Sequence, residues 1–353
     1  MKKFTLNFLF ALLPMLASAY DVEVNGIYYN LDATNLTAEV TDAGHIGSYN
    51  GQVTIPETVE FQGATYAVTS IAKGAFTFGQ SLTSVTLGNS ITTIGASAFA
   101  YCYQLESVRL SDNLIDLGAN AFLLCKKLKS IVIPDGVTEI KTSTFGECDN
   151  LSTAVLPKNL KRIEWNAFYS CKSLTKLEIP QSVEYIGSSA FSICESLKSI
   201  SFPEGLQKLS NSVCMGCSSM ETVSIPSTIT YIDDTVFDLC TSLKQMYCYA
   251  ASIPEIGKDI FDKQYEIFNS VNLTYATLYV PESSLEQYKQ TSPWSRFGTI
   301  LPLPDDTGIE MMGVEDSKPS TYYSLDGKTS KSPMQGINII KMPNGTTKKV
   351  FIK

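Results

Sequence analysis

Histidine is nearly absent from this sequence of 353 residues, and tryptophan occurs only twice. The single histidine, His45, lies outside the periodic part of the chain, so a Ser-His-Asp triad, a Cys-His pair or a histidine-based zinc site would have to form around it. We interpret His45 as a surface or turn residue and predict neither a cofactor nor an enzymatic activity. The enzyme alternative is a carboxylate pair, but Asp135, Glu147 and Glu204 fall at variable repeat positions, where solvated side chains are ordinary.

Basic residues are fewer than acidic residues. The sequence has 27 lysines and arginines and 35 aspartates and glutamates, which gives a formal net charge of -8. A chain with this balance has no basic stripe that could neutralise phosphates, which excludes nucleic acid as an expected partner. The hydrophobic fraction of 44% and the charged fraction of 18% are those of a folded protein.

Long apolar runs are missing beyond the first twenty residues, so no membrane-spanning segment is predicted in the mature chain. At the N-terminus, two lysines precede the apolar stretch 4–16, and the small residues 17–19 follow it. This order is typical of a signal peptide, here residues 1–19, cleaved before Tyr20. The alternative, a membrane anchor, requires roughly 20 apolar residues, and this stretch is shorter and contains Pro14. We predict export, to the cell surface or into the medium.

A period of 23 residues runs through the middle of the chain, and eight repeats are visible. An aromatic column comprises Phe76, Phe99, Phe122, Phe145, Phe168, Phe191 and Phe237, with Cys214 in the remaining slot. A leucine column comprises Leu82, Leu105, Leu128, Leu151, Leu174, Leu197, Met220 and Leu243. A third apolar column comprises Val85, Val108, Ile131, Ala154, Leu177, Ile200, Val223 and Met246.

Each repeat predicts one short strand followed by a turn. Val85 and Leu87 alternate with polar residues, which is the period of a strand with one buried face. A tight turn or a single helical turn then carries Phe99 inward. A unit this short cannot bury its own apolar face and must stack on its copies. We therefore predict a solenoid of about eight coils, with a parallel sheet on one side and short turns or single helical turns on the convex side.

These columns closely resemble the BspA-like leucine-rich repeats of bacterial surface proteins, as in the segment IPDGVTEIKTSTFGECDNLSTAVLP. The similarity covers about residues 50–250. It implies a leucine-rich-repeat solenoid of the Bacteroidetes type. Members of that family are associated with adhesion to host matrix proteins and with coaggregation between bacteria, which makes adhesion the expected role.

The sequence outside the repeats predicts caps and a tail. Tyr288, Trp294 and Phe297 are expected to cover the last coil, because an uncapped solenoid end exposes apolar surface. The predicted boundaries are an N-terminal cap at 20–67, repeats at 68–250, a C-terminal cap at 251–301, a linker at 302–320 and a small β tail at 321–353.

The tail contains Asp326-Gly327 and Asn344-Gly345, dipeptides that favour tight hairpin turns. It is similar to the end of the C-terminal sorting domain of the type IX secretion system, although the earlier strands of a full domain are missing. That resemblance implies a sorting signal. The alternative is a terminal β-hairpin that packs on itself.

Seven of the nine cysteines share one repeat column, namely Cys102, Cys125, Cys148, Cys171, Cys194, Cys217 and Cys240. Coil stacking places their Cα atoms near the distance of a disulfide, and an exported protein meets oxidising conditions. However, each internal member has two equivalent neighbours, so no pairing is selected, and we favour buried free thiols. Cys214 and Cys217 form a C-x-x-C without a second pair or a nearby histidine, which predicts no metal site.

The outward side of the predicted sheet is the candidate binding face, because a solenoid presents one residue per coil along each outward column. Small hydroxyl residues dominate these columns, and in-register stacking of parallel strands would also favour them for structural reasons. Four residues depart from the pattern and are predicted contacts: Arg109, Lys176, Glu178 and Tyr247. A second, weaker row of candidates comprises Arg162, Tyr185, Lys208 and Tyr231.

The sequence therefore predicts an exported, adhesin-like protein that binds an extracellular protein or glycan, on host matrix or on other cells. The alternative is a structural or scaffold protein of the bacterial envelope. Fold alone specifies no ligand.

Overall fold

The computed structural model describes residues 20–257, 267, 268 and 270–304, together with the strands of the segment beyond residue 320. The chain divides into two compact units, and the boundary falls between residues 304 and 305. The N-terminal strands are β1 (Val22–Val24), β2 (Ile27–Asp32), β3 (Thr37–Thr41), β4 (Gly51–Ile55), β5 (Thr58–Phe61) and β6 (Ala64–Ile71). The middle of the chain contains β7 (Leu82–Leu87), β8 (Thr93–Ile94), β9 (Ser107–Arg109), β10 (Asp116–Leu117), β11 (Ser130–Val132), β12 (Glu139–Ile140), β13 (Thr153–Val155), β14 (Arg162–Ile163), β15 (Tyr185–Ile186), β16 (Ser199–Ser201), β17 (Lys208–Leu209), β18 (Thr222–Ile225), β19 (Tyr231–Ile232), β20 (Gln245–Cys248) and β21 (Glu255–Ile256). The C-terminal part of the first unit contains β22 (Thr277–Val280), α1 (Leu285–Gln290), β23 (Thr299–Pro302) and the 3-10 helices Leu273–Tyr275, Glu282–Ser284 and Trp294–Arg296.

The longer strands form what we call the main ladder, a row of parallel strands in sheets of three, two and five, ordered β4-β7-β9, β11-β13 and β16-β18-β20-β22-β23. The register aligns like with like, so that Val85 pairs with Val108 and Val223 with Met246. Proline ends a strand of this ladder at Pro226, where the missing N–H removes a ladder donor. The predicted parallel solenoid is confirmed.

The main ladder extends past the eight visible repeats at both ends. Strand β4 pairs with β7 before the first repeat, and β22 and β23 continue the sheet after the last. The steps from Val53 to Val85 and from Met246 to Leu278 each span 32 residues instead of 23, because insertions separate these coils. The segments predicted as caps therefore contribute strands of their own.

A second row of parallel pairings, the minor ladder, consists mostly of two-residue strands. It is divided into the paired groups β6-β8-β10, β12-β14-β15 and β17-β19-β21. Gly118, in the first group, shows how closely adjacent coils approach, since a Cβ there would lie 2.5 Å from the backbone nitrogen of Ala96. Lys141 and Ser210 occupy the same repeat position as Gly118, and each stands just after one of the two breaks in the minor ladder.

The side opposite the strands is built from tight turns, and residues 68–250 contain no helical turn. Around Phe99 the backbone enters the left-handed region at Ser97, with φ 57°, and again at Tyr101, with φ 62°. This alternation turns every second N–H toward the next coil, where Phe99 donates to the Ala121 carbonyl at 2.8 Å. These inter-coil hydrogen bonds offset the strain of left-handed non-glycine residues.

The aromatic column forms two internal stacks of rings, separated at Cys214, which takes the place of a phenylalanine. Neighbouring rings of Phe99 and Phe122 lie 5.2 Å apart between centroids and only 2° from parallel. Tyr49 continues the stack below Phe76 at 4.2 Å, and Phe268 continues it above Phe237 at 5.8 Å. All of the column phenylalanines are completely buried, so every coil of the column except that of Cys214 contributes one ring to the core between the two ladders.

The C-terminal cap covers the last ring of this stack, as the sequence predicts. Trp294 meets Phe268 edge-on at 6.2 Å between centroids, and Phe297 does so at 5.5 Å. Tyr288 is fully buried and donates its hydroxyl to the Ala250 carbonyl at 2.9 Å. Burial raises the pKa of Tyr288 far above its usual range.

The second unit contains one antiparallel sheet, ordered β25-β24-β26-β27, formed by β24 (Thr321–Ser324), β25 (Thr329–Ser330), β26 (Gly336–Lys341) and β27 (Thr347–Ile352). Strands β24 and β25 pair on either side of 325–328, and β26 and β27 pair on either side of 342–346. The predicted small β unit is thus present, with both hairpins where the sequence places them. The dipeptides themselves lie outside the described residues.

The predicted signal peptide, residues 1–19, also lies outside the described part of the chain. Within the part that the structure describes, no helix has the length and apolar character needed to cross a bilayer.

Candidate binding face

The outward face of the main ladder carries two columns of side chains that alternate with the buried column. Hydroxyl residues occupy most positions, as in the pairing of Ser84 with Ser107 and of Ser199 with Thr222. The first column runs through Ser84, Ser107, Ser130, Thr153, Lys176, Ser199, Thr222, Gln245, Thr277 and Thr299. The second runs through Thr86, Arg109, Val132, Val155, Glu178, Ser201, Ser224, Tyr247, Tyr279 and Leu301.

The main ladder opens around Lys176, and the larger cleft of the outward face lies there. Within residues 20–257, Thr153 and Lys176 form a single isolated bridge in place of a paired strand. Elsewhere, Ile133 donates its N–H to the Val155 carbonyl and Phe202 donates to Ser224, each at 3.0 Å, but no such bond joins Leu156 to Glu178 in the described chain. The cleft has a volume of about 810 Å³.

Apolar side chains of the core reach the interior of this larger cleft. Ala154, Leu156 and Ile179 line it, and each remains 8% exposed, whereas most of the core is fully buried. Ala154 is the smallest residue of its column, so it fills less space than the valine, isoleucine or leucine found in neighbouring coils.

Lys176 and Glu178 stand at the rim of the larger cleft and bind each other. The Lys176 ammonium lies 2.6 Å from a Glu178 carboxylate oxygen, and the two side chains are 72% and 82% exposed. The hydrogen bond from Lys176, and its positive charge, lower the pKa of Glu178. Because the pair is exposed, it contributes little to stability and is free to exchange partners.

Arg109 lies at the second interruption of the main ladder, between β9 and β11. It lines a smaller cleft of about 340 Å³ together with Asp112, Ser130 and Val132. Its guanidinium is 3.5 Å from the Asp112 carboxylate, and both side chains are largely exposed. Two clefts of the outward face, larger and smaller, therefore coincide with interruptions of the main ladder and contain three of the four predicted contacts.

The loosened coil gives a direct prediction for amide exchange. The amides of Leu177, Glu178 and Ile179 are expected to exchange about fivefold faster than those of Val223, Ser224 and Ile225, because a lost ladder hydrogen bond is worth roughly 1 kcal/mol. Hydrogen–deuterium exchange followed by mass spectrometry measures both segments in one sample. Equal protection of the two segments would contradict an open ladder.

Tyr247, the fourth predicted contact, lies near the C-terminal end of the outward face. Its ring stacks on Tyr279 with centroids 4.7 Å apart and planes within 8°. Leu301 follows in the same column and is 41% exposed. Partial burial, and then the neighbouring hydroxyls of Tyr279 and Tyr249, raise the pKa of Tyr247.

The second row of predicted contacts lies on the minor ladder, where its members bind one another. The Arg162 guanidinium carbon is 4.1 Å from the centroid of the Tyr185 ring, and the Lys208 ammonium is 4.7 Å from that of Tyr231. Arg162 also lies 2.7 Å from Glu164, and Lys208 lies 2.8 Å from Asp233. The row consists of two internally neutralised pairs, one on each side of the break between β15 and β17, and it lies on a different ladder from the clefts.

Sequence reasoning did not select Trp165, Val155 or Tyr279 as candidate contacts. Trp165 is 57% exposed, one step from the Arg162–Glu164 pair, in a repeat position that is otherwise small or polar. That contrast was a usable signal. Val155 is 49% exposed at the mouth of the larger cleft. The sequence pattern did not reveal Tyr279 as an outward residue, because its coil falls outside the 23-residue period.

The repeat region matches a known family over most of its length. The family described as BspA type leucine rich repeat region matches residues 57–175 and 161–290, in six copies. The chain belongs to this BspA-type family. No curated protein sequence matches it.

One solved structure supports the fold of this BspA-type protein, and two others are similar to it at lower TM-scores. A leucine-rich repeat protein from Bacteroides ovatus has 21% identity and a TM-score of 0.50, over 80% of this chain and 77% of that one. A leucine rich cell surface protein from Faecalibacterium prausnitzii has 22% identity over 81% and 95% of the two chains, with a TM-score of 0.41. The pneumococcal vaccine antigen PcpA has 15% identity over 80% and 98%, with a TM-score of 0.40.

The cysteines of this BspA-type protein are buried free thiols. Each column thiol donates to a backbone carbonyl of the preceding coil, as Cys148 does to Phe122 at 3.2 Å. Burial raises the pKa of Cys102 to about 12 and raises that of Cys171 well above its usual range. A thiol that donates to the backbone and resists deprotonation is a packing group rather than a nucleophile.

The remaining chemical candidates of the BspA-type protein stay separate. His45 is exposed, and its Nδ1 lies 3.1 Å from the Ile46 carbonyl. Cys214 and Cys217 are buried in the core. Among the residues that the structure describes, no cluster of histidine, cysteine or carboxylate side chains has the arrangement of a metal site.

Proposed function

We propose that this BspA-type protein is an exported binding protein, displayed on the cell surface or secreted, and that it contacts an extracellular protein or glycan through the outward face of the main ladder. The observation that carries the proposal is the coincidence of predicted contacts with clefts. Arg109, Lys176 and Glu178 were chosen from sequence as departures from a hydroxyl column, and all three line openings of the ladder. A continuous ladder would stabilise the solenoid better, so an opened ladder is a feature that binding explains.

Several further features support this proposal. The N-terminal sequence of two lysines, an apolar stretch and small residues is typical of export. The charge of -8 opposes binding to nucleic acid.

The tail resembles the end of a type IX sorting domain, and we propose that it directs the chain to the cell surface. Fractionation of cells that express the chain with and without residues 321–353 tests this role, and surface display that survives the truncation would contradict it.

Binding of the full mature chain to a panel of matrix proteins and glycans is the direct test. We expect saturable binding to at least one member, weakened about threefold to tenfold by Arg109→Ala or Lys176→Ala, as for a charged contact at an interface. Lys244→Ala is the matched control, because Lys244 is an exposed partner of Glu221 that belongs to neither outward column. Uniformly absent binding across the panel would overturn the proposal.

The alternative role is a scaffold within the bacterial envelope. Cross-linking on intact cells separates the two roles. An adhesin captures host or neighbouring-cell material, whereas a scaffold captures only resident envelope components.

A further inference from the structure

We infer that the larger cleft receives an apolar side chain of a partner polypeptide that carries a carboxylate beside it. This inference deepens the proposed function and rests on it, because it assigns one partner chemistry to one part of the outward face. Three observations carry it: the apolar interior of the cleft, the charges at its rim, and the rigid hydroxyl columns on either side.

The interior suits an apolar anchor residue. Ala154, Leu156, Ile179 and Pro180 line a space of about 810 Å³, which is ample for a leucine, phenylalanine or tryptophan side chain. Anchor residues of this kind bind in pockets near the centre of an interface, where water is excluded. Val155 extends the apolar surface outward at the mouth, since its side chain is 49% exposed.

The rim favours a carboxylate next to that anchor. Lys158 and Lys176 face the cleft, and Glu178 is the one acid among its lining residues. Lys176 is held by Glu178 in an exposed pair, and Lys158 lies 3.7 Å from Asp135 with its side chain 87% exposed. Exposed pairs of this kind exchange partners at little cost, so an incoming carboxylate has a lysine available on either side.

A polypeptide suits this lining better than a neutral glycan does. A sugar ring in the interior would bury hydroxyl groups against Ala154, Leu156 and Ile179, whose side chains provide no hydrogen bond. An extended peptide instead leaves its backbone outside the cleft. There the hydroxyl columns on both sides, such as Ser130 and Ser199, offer donors and acceptors to it.

The test uses the full mature chain and fluorescein-labelled peptides of nine residues. The reference peptide has a central phenylalanine flanked by aspartates, and it is compared with versions that have asparagine or lysine flanks or a central serine. We expect the aspartate-flanked phenylalanine peptide to bind most tightly in fluorescence polarisation. The serine version is expected to bind about tenfold more weakly or worse, since burying a phenylalanine is worth more than a factor of ten.

Three variants locate the site. Ala154→Ile introduces the residue found at positions 131 and 200 of the same column, and it is expected to fill the cleft and abolish peptide binding. Lys176→Gln is expected to lower the affinity for the aspartate-flanked peptide about threefold, and Glu178→Gln is expected to raise it by a similar factor. Both effects are expected to reverse for the lysine-flanked peptide. The two charge variants are exposed and keep the test decisive even if Ala154→Ile fails to fold. Lys244→Gln is the matched control.

Several results would overturn the inference. The first is that the serine peptide binds as tightly as the phenylalanine peptide. The second is that the Lys176→Gln and Glu178→Gln variants bind the aspartate-flanked peptide with identical affinity. The third is that the neutral oligosaccharide cellohexaose competes with the peptide for the natural chain but no longer binds to Ala154→Ile. The proposed function fails separately. If the panel of matrix proteins and glycans is bound but the cleft variants change nothing, only the inference is wrong. If the peptides bind as expected but no member of the panel is bound, the proposed function is wrong and the peptide-binding cleft remains.

Discussion

Replacing Phe145 with alanine is expected to lower the free energy of unfolding by about 3–5 kcal/mol. Phe145 is completely buried at the middle of the aromatic stack, with ring centroids 5.6 Å from Phe122 and 5.2 Å from Phe168. Its removal deletes two stacking contacts and leaves a cavity between coils that inter-coil hydrogen bonds hold in place, such as that from Phe145 to the Ala167 carbonyl. Chemical denaturation of the full mature chain, followed by circular dichroism, measures the effect.

Two variants calibrate the loss at Phe145. Phe145→Leu retains most of the apolar volume and is expected to cost roughly half as much. Val132→Ala removes an apolar side chain that is 64% exposed, so it is expected to stay within about 0.5 kcal/mol of the natural chain. Because each repeat contacts only its neighbours, the destabilised coil could also unfold before the ends do. A loss below about 1 kcal/mol for Phe145→Ala would mean that the aromatic stack is not the core of the solenoid.

Denatured but unreduced protein is expected to expose all nine cysteines to alkylation, whereas the native protein reacts hardly at all. The raised pKa of Cys102, about 12 instead of 9.0, lowers its thiolate fraction about a thousandfold at pH 8, before burial adds its own barrier. Disulfide formation also requires a thiolate, so the same effect keeps the column reduced in an oxidising environment. The measurement is mass spectrometry after labelling with iodoacetamide, with and without guanidinium.

The pH dependence of cysteine labelling in the native protein distinguishes buried free thiols from cysteines joined in disulfides. Free buried thiols are expected to label faster as the pH rises toward about 12, where the thiolate of Cys102 forms in the folded state. Protein reduced and then refolded serves as the control and is expected to give the same number of labels when denatured. Few or no labels on the unreduced, denatured chain would instead mean that neighbouring coils are joined by disulfides.

The solenoid itself was predictable because its cause is local and repeated. Residues such as Val85 and Phe99 recur every 23 positions, and a repeat of that length buries its apolar residues only against a neighbour. The same periodicity concealed the outermost coils. Val53 and Leu278 belong to the main ladder, but insertions place them 32 residues from their partners.

The candidate contacts were predictable as positions but not as a site. The alternation of each strand shows that Lys176 and Glu178 point outward, because successive side chains of a strand face opposite sides. It does not show that they bind each other, nor that a cleft opens beside them. Trp165 and the stacked pair of Tyr247 and Tyr279 likewise acquire meaning only from the exposures and distances of the folded chain.

The amino-acid sequence by itself determined the period, the inward and outward columns, the buried cysteines and the two hairpins of the tail, since each depends on side-chain spacing along the chain. Only the tertiary structure decided where the ladders break. A break depends on how closely two coils approach, and therefore on the fit of residues such as Ala154 and Leu177, which lie 23 positions apart and touch only after folding. The larger cleft, and with it the proposed binding chemistry, arises from that fit.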